Sequence, residues 1–483
     1  MSFDFSFRSA SGQRRSEPPF RIAILGDFAG RTHGTENGLS SPRLIDCDNF
    51  DDVFAQIGVA LDSPPSRECA WAINLEFRKL EDFHPDQLLN RLEPLSKLTD
   101  LRASLLHPAT MDAAAKELQE ILKIEALPAE LASKSTAEST EEMLDRLLGK
   151  GPAEESRTTS PAELANRLIL QIVGSNVPNV APERSQLAAL ADAELSARLK
   201  AILHHPDFQA LEAAWRGLDF LTRNVIEEVK LYVIDIRSSE LATMLTVEDL
   251  TKSAIYRQLE KLRPAVVLGV YTFGPEDRAL LGKIAVLANI CHTAFVAGAS
   301  PSLVGCTSFG TQPDPSDWSV GSSGELEEFA ALRRMQAAVH LGLALPRFLL
   351  RQPYGKGSDT IEAFPFEEML TEPDHESYLW GNPAFLCGHL LAELFAAQGS
   401  ELKVDGGGGE VGGLPIHTFT SDGETQVKPS AEAWLNERAA NAILKRGIMP
   451  VLSVRGRDAV QLLSLRAISD PPMPLAVGTE FEV

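Results

Sequence analysis

Phe20-Arg21-Ile22-Ala23-Ile24-Leu25-Gly26 is a short apolar run closed by a glycine and preceded by Pro18-Pro19. Apolarity over consecutive positions, bounded by turn residues, predicts a buried strand. Runs of the same kind recur at residues 229–236, 265–271, 293–297 and 449–454. Helical patterns separate them at 239–262, 275–290, 325–341 and 383–397. This alternation favours an α/β fold over an all-α one.

Upstream of the run, residues 9–19 form a polar, Pro-ended spacer carrying Arg14 and Arg15. Before it, Phe3, Phe5 and Phe7 alternate with Ser2, Asp4, Ser6 and Arg8, which is strand periodicity. A strand this short needs a sheet to join. Downstream, a helix is expected over 49–61, a strand over 71–77, and a helical stretch from Pro85 that Pro94 interrupts. A compact α/β unit therefore covers residues 20–125, behind an N-terminal arm over 1–19.

Residues 126–161 change character, because Ser, Thr, Glu and Ala dominate and core aromatics are missing. That composition marks a linker. One helical island lies within it at 140–148, with Thr140 as cap, Glu141 and Glu142 in the first turn, and Gly149 as the stop. Met143, Leu144, Leu147 and Leu148 share one face of it, so it is either a packed connector or a short recognition helix that folds on a partner. From residue 162 to 483 the chain is again globular. Phe208, Leu211, Trp215, Leu218 and Leu221 form a helical stripe there, with Glu212 and Arg216 paired four apart. Residues 416–420 and 425–428 flank the turn Ser421-Asp422-Gly423-Glu424 as a hairpin, and the glycine-rich 405–413 stretch reads as a loop.

The chain of 483 residues has 45 basic and 67 acidic side chains, a formal charge of -22, which leaves no cationic surplus for general nucleic-acid binding. No apolar run is long enough to span a bilayer, and residues 1–15 lack a signal core, so a soluble cytoplasmic protein without membrane insertion is expected. Its five cysteines are odd in number and widely spaced, as reduced core residues would be.

Chemistry is sparsely represented. Gly26-Asp27-Phe28-Ala29-Gly30-Arg31 follows a strand but lacks Gly-Lys-Ser/Thr, and Asp27 would repel a phosphate, so a structural turn is the better account. His204 and His205 are adjacent, which on a helix splays their rings apart, and a capping role near Pro206 is expected instead. No catalytic, cofactor-binding or metal-binding residue emerges, and no enzyme activity is expected.

Three clusters of aromatic, Arg and Pro residues stand out instead. They are Leu203-His204-His205-Pro206-Asp207-Phe208 with Trp215-Arg216-Gly217-Leu218, then Leu345-Pro346-Arg347-Phe348 through Arg351-Gln352-Pro353-Tyr354-Gly355, then Tyr378-Leu379-Trp380-Gly381-Asn382-Pro383. An arginine among apolar neighbours bonds carbonyls or a carboxylate, so Trp215, Arg216, Arg347, Arg351, Tyr354 and Trp380 are expected to be structural or interfacial. With Ala299-Ser300-Pro301 and Phe364-Pro365-Phe366-Glu367-Glu368, these clusters resemble the large sheath subunit of type VI secretion systems, the TssC or VipB family. The N-terminal unit resembles the small subunit, TssB or VipA, through residues 21–31, Asp48-Asn49-Phe50-Asp51 and Leu80-Glu81-Asp82-Phe83-His84-Pro85.

The resemblance implies a fusion of both subunits: a multi-domain α/β sheath-protein fold with mixed sheets and an exchanged N-terminal strand, Phe3, Phe5 and Phe7 being the strand's apolar face. It implies protomers that stack on other sheath protomers around an Hcp-like inner tube, contact baseplate proteins, contract, and use no cofactor. Met143, Leu144, Leu147 and Leu148 lie where the family carries the handle for a ClpV-type AAA+ unfoldase. The family's large subunit continues beyond the last matching block, so a C-terminally shortened large-subunit region is expected. An accessory protein that caps, nucleates or regulates the sheath or baseplate without polymerising is the alternative.

Overall fold

The computed structural model describes residues 20–30, 39–66, 69–107, 109–125, 180–319, 323–369, 373–399, 402–421 and 423–478. In chain order, β1 (Phe20–Gly26) and β2 (Arg43–Ile45) precede α1 (Phe50–Ile57), β3 (Ala60–Ser63) and β4 (Ile73–Glu76). Helices α2 (Pro85–Arg91), α3 (Glu93–Leu106), α4 (Met111–Glu125), α5 (Val180–Leu203) and α6 (Pro206–Arg223) follow. Then come β5 (Val229–Asp235), α7 (Ser238–Met244), α8 (Ala254–Leu262), β6 (Val266–Phe273), α9 (Arg278–Ile290), β7 (Ala294–Ala299) and α10 (Ser323–Arg333). The last part holds β8 (Leu341–Leu345), β9 (Phe348–Leu349), β10 (Trp380–Gly381), α11 (Ala384–Gln398), β11 (Gly409–Val411), β12 (His417–Ser421), β13 (Glu424–Lys428), α12 (Glu437–Lys445), β14 (Met449–Ser453) and β15 (Val460–Leu462).

A mixed nine-stranded sheet, in the order β11-β15-β14-β8-β7-β6-β1-β5-β2, forms the centre of the larger unit. Strand β1 sits inside it, parallel to β5 from Phe20↔Val229 to Gly26↔Asp235 and parallel to β6 from Ile22↔Val266 to Leu25↔Gly269. Parallel strands enclosed by helices need apolar residues on both faces, which is why β1 from Ile22 to Leu25 reads as a continuous apolar run. Ala23 and Leu25 join Ile234, Val267, Ala297 and Leu343 in one core. Phe28, Phe50, Phe54, Phe77, Phe83 and Phe208 form a second, aromatic cluster around Trp215, whose Nε1 donates to the Phe28 carbonyl at 2.8 Å.

Contacts divide the chain into two compact units, one of residues 1–84, 202–359 and 367–483, the other of 85–201 and 360–366. Strand β1 has its ladder partners more than 200 residues away, a pairing that composition cannot reveal. Among the described residues the smaller unit is mainly helical: Leu95, Leu98, Leu101 and Leu105 of α3 are buried, Arg102 is paired with Asp192 of α5, and the Asp86 carboxylate accepts the backbone N–H groups of Glu362 and Ala363.

Several element boundaries differ from expectation. Helix α1 stops at Ile57 because Gly58 adopts φ 72°, the left-handed helix end, and β3 begins two residues later. The helix expected over 239–262 is broken into α7 and α8, with Asp249 and Ser253 capping new turns through Thr251 N–H and Tyr256 N–H. The helix expected to reach 341 ends at Arg333, and Leu341-Gly342-Leu343-Ala344-Leu345 is instead strand β8, enclosed between β7 and β14. Pro94 opens α3 at its first turn after α2 has ended. Among the described residues, no helix is long and apolar enough to cross a membrane.

Candidate functional site

Two buried charge centres flank the short strand β9. Arg351, on its C-terminal side, donates from Nη1 and Nη2 to the Glu368 carboxylate at 2.7 and 3.1 Å and from Nε to Glu212 at 3.0 Å. Arg216, one helical turn beyond Glu212 on α6, donates to the same Glu212 oxygen at 2.7 Å and to the Tyr354 hydroxyl at 3.1 Å. Glu368 also accepts the Tyr354 backbone N–H at 2.7 Å, and the Arg351 guanidinium stacks 4.2 Å from the Tyr354 ring. Two guanidinium and two carboxylate groups balance there, which is what makes their burial tolerable. Burial alone would raise the Glu368 pKa, but Arg351, with His204 Nε2 3.4 Å away and the Tyr354 N–H, outweighs it and holds the carboxyl at about 2.

Arg347, on the N-terminal side, reaches Glu432 at 2.6 Å and Glu376 at 3.1 Å. His375 Nε2 lies 3.1 Å from the same Glu432 oxygen, and its Nδ1 lies 2.8 Å from Lys428 Nζ at the end of β13. Lys428 Nζ is also 5.3 Å from the ring centres of both Tyr378 and Trp380. Burial against an opposing His375 and Arg347 leaves Glu432 at about 2, and burial lowers Lys428 to about 8. His375, Glu376 and Glu432 bring their donor atoms within 4.8 Å of one another, a grouping hidden in the sequence by the 55 positions between Glu376 and Glu432. The Arg347 guanidinium supplies the cation between the two carboxylates, so the grouping is an ion-pair centre.

Arg351 and Arg347 thus bind carboxylates contributed by other segments, Glu212 from α6 and Glu368 from the loop before β10 for the first and Glu432 after the hairpin for the second, while Arg216 shares Glu212 within α6. Trp380 donates from Nε1 to the His375 carbonyl at 2.9 Å and faces Arg347. Sequence reading named the arginines and aromatics but not Glu432, His375 or Lys428. The usable signal was the requirement that a buried guanidinium have a carboxylate. Phe3, Phe5, Phe7, Met143, Leu144, Leu147 and Leu148 lie outside the described residues.

The Gly26–Gly30 turn has the backbone N–H geometry of an anion cradle, and internal carboxylates fill it. Asp235 Oδ1 accepts Phe28 N–H and Ala29 N–H at 2.9 Å each, and Asp27 accepts Gly30 N–H at 3.0 Å. His205 caps α6 by accepting the Asp207 N–H. The five cysteines are free thiols: Cys69, Cys306 and Cys387 are buried, Cys291 is half-buried and Cys47 is exposed.

Beside the first charge centre, a cleft of about 510 Å³ runs along β12, lined among others by Gln352, Tyr354, Ser358, Glu367, Thr418 and Thr420. Strands β12 and β13 form a two-stranded sheet from His417↔Lys428 to Ser421↔Glu424, so β12 has an open edge among the described residues. A strand edge beside a cleft can accept another extended chain through main-chain hydrogen bonds.

A mixed α/β sheet threaded by both an N-terminal and a C-terminal segment is the class of fold that the described residues define. Residues 185–469 match the VipB family, described as EvpB/VC_A0108, tail sheath N-terminal domain, and the chain belongs to that family. Residues 2–136 match a second family, described as type VI secretion system, VipA, VC_A0107 or Hcp2. A relative described as type VI secretion system sheath protein TssC1, from Pseudomonas aeruginosa strain PAO1, is 31% identical over 361 residues, covering 70% of this chain and 72% of its own length. The chain is therefore a type VI secretion sheath component that joins a small-subunit-like and a large-subunit-like part.

Proposed function

We propose that this chain is a cytoplasmic sheath protomer that assembles with its neighbours around an Hcp-like inner tube and contracts to propel it. The observation that carries this reading is the place of β1: a strand from the small-subunit-like part lies inside the sheet, between β5 and β6 of the large-subunit-like part. The two parts therefore fold as one protomer. The work would come from conformational energy held in the assembly, without a bound nucleotide, and the Asp235-filled turn supports that view.

In this reading the N-terminal arm, with Phe3, Phe5 and Phe7 on its apolar face, pairs with a sheet edge of a neighbouring protomer. The open edge of β12 is the acceptor, since the adjoining cleft leaves room for an added strand. Main-chain bonds at such a joint couple neighbours while letting them rotate. The helix at 140–148 would present Met143, Leu144, Leu147 and Leu148 to a ClpV-type unfoldase, and one end of the sheath would meet baseplate proteins. Fluorescent labelling of the chain in cells that also produce an inner tube and baseplate tests the reading. Label along the whole of an elongated structure that shortens supports it, and label confined to one end identifies a cap or nucleator instead.

A further inference from the structure

At the base of the hairpin the second charge centre contains an ordered row of three groups: Lys428 Nζ 2.8 Å from His375 Nδ1, and His375 Nε2 3.1 Å from Glu432. A nucleophile in hydrogen-bond reach of a base, with the base oriented by a carboxylate, is the arrangement of an activated side chain. Here the geometry fixes the imidazole. Glu432 is 2% exposed and accepts from Nε2–H, so Nδ1 carries the lone pair that faces the amine. Gly310 packs against the ring, where a Cβ would lie 2.5 Å from His375 Cγ. Lys428 itself is half-buried and reachable from solvent beside the exposed strand β13.

We propose that Lys428 is an amine nucleophile held against its own base, a modification site that accepts the acyl group of a small activated acyl donor. In the reaction the Nζ lone pair attacks the donor's carbonyl carbon, a C–N bond forms, and the bond from that carbon to the phosphate oxygen or thioester sulfur breaks. The leaving group departs with that bond's electron pair. The ammonium proton passes to His375 Nδ1, where Glu432 stabilises the imidazolium, and then to solvent. No electrons change hands beyond this exchange, so no oxidant or reductant is required.

Burial favours the neutral amine, against the carboxylates around it. Arg347 faces Lys428 from the segment before β9, and Asp374, His375 and Glu376 face it from the turn before β10. Glu432 faces it from beyond β13, with Tyr378 and His417 closing the remaining side. Burial is the largest cause of the lowered Lys428 pKa, Arg347 adds to it, and the carboxylates oppose it, leaving a value of about 8. Acylation replaces the ammonium with a neutral amide and ends its cation–π contacts with Tyr378 and Trp380, freeing one of the two strand ends that anchor the hairpin.

The test does not depend on whether the chain polymerises. The full-length protein is incubated with acetyl phosphate and, separately, with acetyl-coenzyme A, from pH 6.5 to pH 9.5, and acetylation at each lysine is followed by quantitative mass spectrometry. Lys428 should react about tenfold faster than the mean of the other lysines with at least one donor, its rate levelling off near pH 8 instead of climbing towards the ordinary lysine pKa of about 10.4. Which donor reacts distinguishes a phosphate from a thioester source. His375→Gln should remove the advantage, and so should unfolding in urea, which needs no variant. A Lys428 rate at or below the mean with both donors, or an advantage that persists in the unfolded chain, would overturn the proposal.

Discussion

Arg351 and Glu368 meet in a two-point ion pair, Nη1 to Oε2 at 2.7 Å and Nη2 to Oε1 at 3.1 Å, with side-chain exposures of only 10% and 1%. A pair so enclosed adds little net stability compared with apolar packing, yet breaking it leaves one charge stranded. Glu368→Gln should therefore destabilise the fold by about 3–5 kcal/mol at neutral pH, and Arg351→Met by a comparable amount. Urea titration followed by circular dichroism measures both. A loss below 1 kcal/mol for each would mean that the cluster is hydrated.

The same carboxylates set the acid limit of the fold. Glu368 and Glu432 are held at about 2, below the unfolded value of 4.5, so the unfolded chain binds more protons in that interval. Their stabilisation is fully present above about pH 5 and is lost as pH falls towards 2, roughly 3 kcal/mol for each group. Stability measured from pH 6 to 2 should show this decline, and Glu432→Gln should flatten part of it. An unchanged slope in that variant would assign the decline to other carboxyl groups.

Lys428 predicts the opposite end of the pH range. Its folded value of about 8 lies below the ordinary 10.5, so the native state binds fewer protons between the two, and stability should rise with pH across that interval. The rise is at most about 3 kcal/mol. Lys428→Met should remove it without lowering stability at pH 7, and the comparison is a pair of urea curves at pH 7.5 and 10.

Gly217 places α6 against α11. A Cβ at this position would lie 2.2 Å from Phe385 Cε2, and the ring is fully buried, so Gly217→Ala should cost about 1–3 kcal/mol by overpacking. Adding Phe385→Leu should recover part of the loss, which a double-mutant cycle resolves.

The two proposed partner segments are separable. Deleting residues 1–8 should abolish assembly while leaving the thermal unfolding of the protomer unchanged, as light scattering and calorimetry would report. Replacing Leu144 and Leu147 with Glu should abolish capture by a ClpV-type unfoldase while assembly persists. Retained assembly in the first case, or retained capture in the second, would remove that segment's role.

Much of the sheet was legible because its strands are largely apolar: β7 is an uninterrupted apolar run, β1, β6 and β14 are nearly so, and β5 is broken only by Lys230 before its terminal Asp235. Strand β8 was hidden by the same property, since Leu341 to Leu345 follows directly on a helical pattern and carries no period of its own. The arginines and aromatics of the charge centres were visible as unusual residues among apolar neighbours. Their partners were not, because Arg347 and Glu432 are 85 positions apart and Arg351 and Glu212 are 139 apart. Sequence distance hides which carboxylate answers a buried guanidinium. Strand β1 is the sharpest case, an early segment whose β5 partners lie 209 positions later.

Electron microscopy of the purified chain, alone and mixed with an inner-tube protein, tests the central claim most directly. The account predicts hollow tubes of regular helical repeat, with this chain present along their full length. A particle that stays monomeric under both conditions, or that decorates only the tip of another protein's tube, would contradict it.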